Sequence, residues 1–70
     1  MERITIGNMC KSYRQKLFLT QEEMAAKLGI SKPAYNAIEN GKNKRFRYST
    51  LRKISMLLNV EPEKLLQIIK

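Results

Sequence analysis

Asn36 carries the most informative side chain of this chain. A carboxamide places one donor beside one acceptor, the pattern that meets N7 and N6 of an adenine. Lys32 stands one helical turn earlier, where an ammonium can donate to guanine O6 and N7. Pro33 and Ala37 offer small apolar surface of the kind that meets a thymine methyl. The plainer reading of these four residues is a solvated helix face, and Pro33 and Ala37 each have a local structural reason to be there. Further along, Asn40, Lys42, Asn43, Lys44, Arg45 and Arg47 supply hydrogen-bond donors suited to phosphate oxygens. Four cations fall in the six positions from Lys42 to Arg47, and no acid stands between Glu39 and Glu61. An ordinary solvated loop would intersperse acids. Gln21 sits where a helix should begin, and backbone N–H groups at a helix start attract phosphate. Arg47 has the chemistry for a narrow minor groove.

Composition narrows the chemistry. Lys and Arg total 14 against 6 acids, a net charge of +8 over 70 residues, and aspartate is absent. Such a balance points to a polyanionic partner. There is no histidine, so imidazole can serve neither as a general base nor as a metal ligand. The single cysteine cannot form an internal disulfide and suits a reducing cytosol. Cys10 lies among apolar residues and reads as a small core residue, with Met9, Met24 and Met56 as gap fillers. Gly41-Lys42 is not a phosphate loop, because the position five before Gly41 holds Asn36. No apolar run exceeds three residues, and no export signal opens the chain, so neither a membrane span nor secretion is expected. The expectation is a cytoplasmic protein that is not an enzyme, with no cofactor, no metal and no small-molecule ligand.

These side chains need a scaffold to position them. From Ile6, apolar residues recur at Cys10, Tyr13 and Leu17, which predicts a helix over about 6–18. Thr20 and Glu23 form a capping box, Leu19 can staple onto Met24, and Gly29 ends a helix over about 21–28. Ser31 caps the next, Pro33 falls in its first turn, and Gly41 closes it, giving about 32–40. Only Gly29, Ile30 and Ser31 separate these two, which makes a helix-turn-helix. Ser49 or Thr50 is expected to cap a helix over about 50–58, with Leu51, Ile54, Leu57 and Leu58 on its inner face. Glu61 and Pro62 open a last helix over about 62–69, with Leu65, Leu66 and Ile69 inward. The expected fold class is all-α, a compact bundle of five short helices in a single domain spanning 1–70. Arg14 and Glu39 flank core positions on different helices and can pair across them.

Leu19-Thr20-Gln21-Glu22-Glu23-Met24-Ala25-Ala26-Lys27-Leu28-Gly29-Ile30-Ser31 and Ile38-Glu39-Asn40-Gly41-Lys42 resemble the Cro/CI (XRE-type) helix-turn-helix family. The likeness runs from about residue 6 to 66, and the stretch 39–48 is similar to lambdoid phage repressors of the 434 type. It implies a lambda repressor-like DNA-binding domain that binds palindromic operators as a dimer. Carried onto this chain, it implies that Gln21 and Asn40 contact phosphates. It places Lys32, Pro33, Asn36 and Ala37 at the base-facing positions. It pairs Arg14 with Glu39 as a structural ion pair and lays Lys44, Arg45 and Arg47 along the backbone and minor groove. Relatives carry two glutamines where this chain has Lys32 and Pro33, and a long polar side chain where it has Ala37. The operator therefore differs, with more weight on DNA shape and backbone charge. The expected partners are a double-stranded DNA operator and a second copy, joined through the last helix and the 42–49 loop, with Ile68 adding apolar surface. The alternative is an antitoxin-like protein-interaction module on the same fold. RNA binding would need exposed aromatics, for which only Phe46 and Tyr48 are candidates.

Overall fold

A computed structural model describes residues 5–42 and 46–69; Asn43, Lys44 and Arg45 lie outside the described residues. The described chain forms α1 (Ile6–Lys16), α2 (Gln21–Leu28), α3 (Lys32–Glu39), α4 (Tyr48–Leu58) and α5 (Pro62–Ile69), with no strand among the described residues. α3 packs on α2 and α1, α5 packs on α4, and α1 also meets α4 and α5.

The first three helices start on hydroxyl caps, which satisfy N–H groups that a helix cannot satisfy itself. Thr5 Oγ1 accepts from the Asn8 N–H at 3.0 Å. Thr20 Oγ1 accepts from Glu23 N–H at 3.0 Å while Glu23 Oε1 accepts from Thr20 N–H at 2.9 Å, closing the capping box. Ser31 Oγ accepts from Ala34 N–H at 3.3 Å. α4 departs from expectation: it begins at Tyr48 rather than 50, and neither Ser49 nor Thr50 caps it. Arg47 is the cap residue, without a side-chain bond, and its carbonyl already accepts from Leu51 N–H at 3.0 Å. Ser49 and Thr50 thus fall inside the first turn.

Four helices leave by the same device. After α1, α2, α3 and α4 a residue takes positive φ: Phe18 (57°), Gly29 (70°), Gly41 (71°) and Asn59 (55°). The next N–H then reaches back five residues, Leu19 to Arg14 O, Ile30 to Ala25 O, Lys42 to Ala37 O and Val60 to Ser55 O, at 2.9–3.0 Å. This is the Schellman pattern, in which an apolar residue normally follows and docks on the core. Leu19, Ile30 and Val60 do so. Lys42, exposed, does not. The Phe18 turn also ends α1 at Lys16, two residues before the expected end.

The core holds Ile6, Cys10, Met24, Ala25, Leu28, Tyr35, Ile38, Leu51, Ile54 and Leu65. Met56 is 74% exposed and is not a gap filler, because it sits off the Leu51–Ile54 stripe of α4. On α5 the inner face is Leu65 with Ile68, three positions on, whereas Leu66 is 47% exposed. α1 crosses α3 at Gly7, where an added Cβ would collide with the Ile38 carbonyl oxygen and lie 3.0 Å from that of Glu39. That close crossing sets the distance between α1 and the end of α3.

Candidate functional site

α2 and α3 are joined by Gly29, Ile30 and Ser31. Tyr35 and Ile38, three apart, are buried and fix the roll of α3. That roll turns Lys32, Pro33 and Asn36 to solvent. Ala37 is half-buried rather than fully presented, since it lies one position from Ile38. Four of the sequence-predicted side chains, Arg14, Gln21, Asn36 and Asn40, converge on or near Glu39.

Glu39 is the anchor of this cluster. Arg14 Nε donates to Glu39 Oε2 at 2.7 Å and Arg14 Nη2 to Oε1 at 3.3 Å, with side-chain exposures of 16% and 4%. Arg14 Nη1 also donates to the Leu19 carbonyl at 3.0 Å, tying the pair to the exit of α1. Gln21 Nε2 donates to Glu39 Oε1 at 3.1 Å. Asn36 Nδ2 donates to Gln21 Oε1 at 3.2 Å, and Asn40 Nδ2 donates to Asn36 Oδ1 at 2.9 Å. Burial alone would raise the Glu39 pKa, but the donors gathered on it, Arg14 foremost, hold it below the usual carboxylate value. The Tyr35 hydroxyl is buried without a hydrogen-bond partner. Burial, then the nearby Glu39 carboxylate, push that phenol up. After these bonds are counted, Gln21 and Asn36 each retain one proton and one lone pair for a ligand, and Asn40 one proton and two lone pairs.

Lys42 and Arg47 are exposed on either side of residues 43–45. Arg47 marks the start of α4. Asn43, Lys44 and Arg45, expected at the phosphate-facing loop, lie outside the described residues. Sequence reading missed Lys53. From α4 its ammonium comes to the helix-turn-helix corner, 2.6 Å from where a Gly29 Cβ would stand. With Arg47 it lines a concave surface opposite Ile30, Ser31 and Ala34. No local motif marks such a residue, since it depends on how α4 packs on α2. Among the described residues no group of His, Cys, Asp and Glu is placed to hold a metal, and no helix is long and apolar enough to cross a membrane.

The family described as Helix-turn-helix matches residues 11–65. The chain is 47% identical over 60 residues to the uncharacterized HTH-type transcriptional regulator YqaE of Bacillus subtilis (strain 168). That match covers 86% of this chain and 50% of the relative, so the chain spans about half the length of the curated relative it matches. Among solved structures it resembles the DNA-binding domain (1–76) of the P22 C2 repressor, determined by nuclear magnetic resonance in solution. The TM-score is 0.72 at 24% identity, covering 94% of this chain and 86% of that one, a likeness of fold.

Proposed function

Because this chain belongs to the helix-turn-helix family, we propose that it is a sequence-specific, double-stranded DNA-binding transcriptional regulator, a repressor that binds a palindromic operator as a dimer. The observation that carries this reading is the exposed edge of α3. Lys32, Pro33 and Asn36 face solvent, while Lys42 and Arg47 flank them with positive charge. A convex helix edge with a bidentate carboxamide suits a major groove, where the second helix of such a motif reads bases. In this reading Lys32, Pro33, Asn36 and Ala37 meet base edges. Gln21, Asn40, Lys42, Asn43, Lys44, Arg45 and Arg47 take phosphates or the minor groove, and Arg14 with Glu39 holds the frame. The HTH-type regulator from Bacillus subtilis and the repressor domain of the same fold both support it.

The dimer surface in this reading is α5 with the 42–49 loop. Tyr48 is 85% exposed and Leu66 47%, and with Leu51, Arg52 and Pro62 they line one apolar concavity. Leu66 takes the role first given to Ile68, which packs on the core instead. Two copies would set their α3 helices about 34 Å apart, one DNA turn. Selection of bound duplexes from a random library at about 150 mM salt tests the whole reading. A palindromic consensus is expected; recovery of duplexes without any shared sequence would refute it.

A further inference from the structure

The side-chain hydrogen bonds that join α2 to α3 all run in one direction. Asn40 Nδ2 gives to Asn36 Oδ1, Asn36 Nδ2 to Gln21 Oε1, and Gln21 Nε2 to Glu39 Oε1. A carboxamide has nearly the same shape either way round, so its orientation is decided by its partners. Glu39, as a carboxylate, only accepts. Gln21 must therefore turn its nitrogen to Glu39 and its oxygen to Asn36. Asn36 must then turn its nitrogen to Gln21 and its oxygen to Asn40.

We propose that Glu39 is a specificity-determining positioning residue: acting through Gln21, it fixes which end of the Asn36 carboxamide is donor and which is acceptor at the exposed edge of α3. This rests on the reading that Asn36 meets a base. Adenine offers N7 as acceptor and N6 as donor in a fixed order. A flipped carboxamide sets donor against donor and acceptor against acceptor. The Glu39 side chain is only 4% exposed, so its effect on the free edge of α3 passes through Gln21 and the amides beyond it. The donors around Glu39 keep it ionised, which keeps the direction of the chain constant at neutral pH.

The direction has a sharp consequence. Arg14 only donates, so in Glu39→Gln the new carboxamide must give its oxygen to Arg14. Its nitrogen then faces Gln21, which must flip, and Asn36 and Asn40 flip after it. A second variant, Gln21→Leu, keeps the Arg14–Glu39 pair and simply cuts the chain, so it preserves the fold if Glu39→Gln does not.

Two measurements test this. In the DNA-free protein, the side-chain NH2 resonances of Asn36 and Asn40 are followed by NMR in both variants. They are expected to shift in each; signals that stay where they are in wild type would overturn the proposal. Binding to a panel of duplexes, each changed at one operator position, gives the second readout. Glu39→Gln is expected to remove a preference of about tenfold at a single position, leaving the others within about twofold. A loss spread evenly over all positions would overturn the proposal, because it would mark Glu39 as a purely structural residue. A wild-type protein without base preference whose NH2 signals still respond would support the amide chain and refute the DNA reading instead.

Discussion

Asn36 enters any complex with its carboxamide already oriented, so part of the ordering cost of a bidentate contact is met in the free protein. Asn36→Ala is expected to cost about 1–3 kcal/mol of binding and relax preference at one operator position, read by titrating duplexes changed at that position. An equal loss on random DNA would make it a phosphate contact. Glu39 carries a pH signature. Its carboxylate pKa is lowered in the folded chain, so its contribution to stability is complete above the ordinary value of 4.5 and is lost as pH falls through the lower folded value. Glu39→Gln should cost about 2 kcal/mol at neutral pH, since it weakens a partly buried pair. Melting curves of both proteins should converge as pH falls below 4.5, and a constant gap would contradict the assignment. At this scale Arg14 with Glu39 was legible from the core positions they flank. The run from Gln21 to Asn40 was not, because it depends on which way each amide turns.

At the level of helices, the exits explain more than the helices themselves. Gly29 and Gly41 tolerate positive φ, and both stops were readable for that reason. Phe18 is not such a residue. An L side chain with a Cβ in the left-handed region carries a strain of about 1–2 kcal/mol, and Phe18 is 94% exposed, so packing does not repay it. The apolar spacing of α1 ran on to Leu17 and hid the turn. Phe18→Gly is expected to stabilise the fold by about 0.5–1 kcal/mol in denaturant melts; destabilisation would mean that the ring makes contacts that matter. Gly7 falls inside the helix expected over about 6–18. Sequence offers no sign that a backbone from another helix passes over it. Gly7→Ala should destabilise by about 2–3 kcal/mol through overpacking against α3 carbonyls, a loss visible in the same melts. The start of α4 escaped notice because Ser49 and Thr50 are good caps in isolation, while the helix uses the Arg47 carbonyl without one.

Across the described residues, two exposed features bear on binding. The exposed cations Lys42 and Arg47 stand near the free edge of α3, while Tyr48 and Leu66 present apolar area beside α5. Replacing Lys44 or Arg45 with Gln should weaken binding to all duplexes alike and lower the log–log salt slope by about 1 each. An unchanged slope would remove them from the interface. Charging the apolar patch with Leu66→Glu should leave the fold intact, since the side chain is half in water, and shift sedimentation from dimer to monomer. The five-helix class was readable from periodicity and caps, whereas the roll of α5 was not, because Leu65, Leu66, Ile68 and Ile69 admit two apolar faces. One feature of the core reaches beyond architecture. Cys10 is fully buried, and burial followed by the charge of Glu39 pushes its thiol up to about 12. It is the sole sulfhydryl in the chain. A maleimide or disulfide reagent therefore meets it only when the bundle opens, and the labelling rate becomes a tag-free stopwatch for unfolding. The operator that slows that stopwatch announces itself without any assay of transcription.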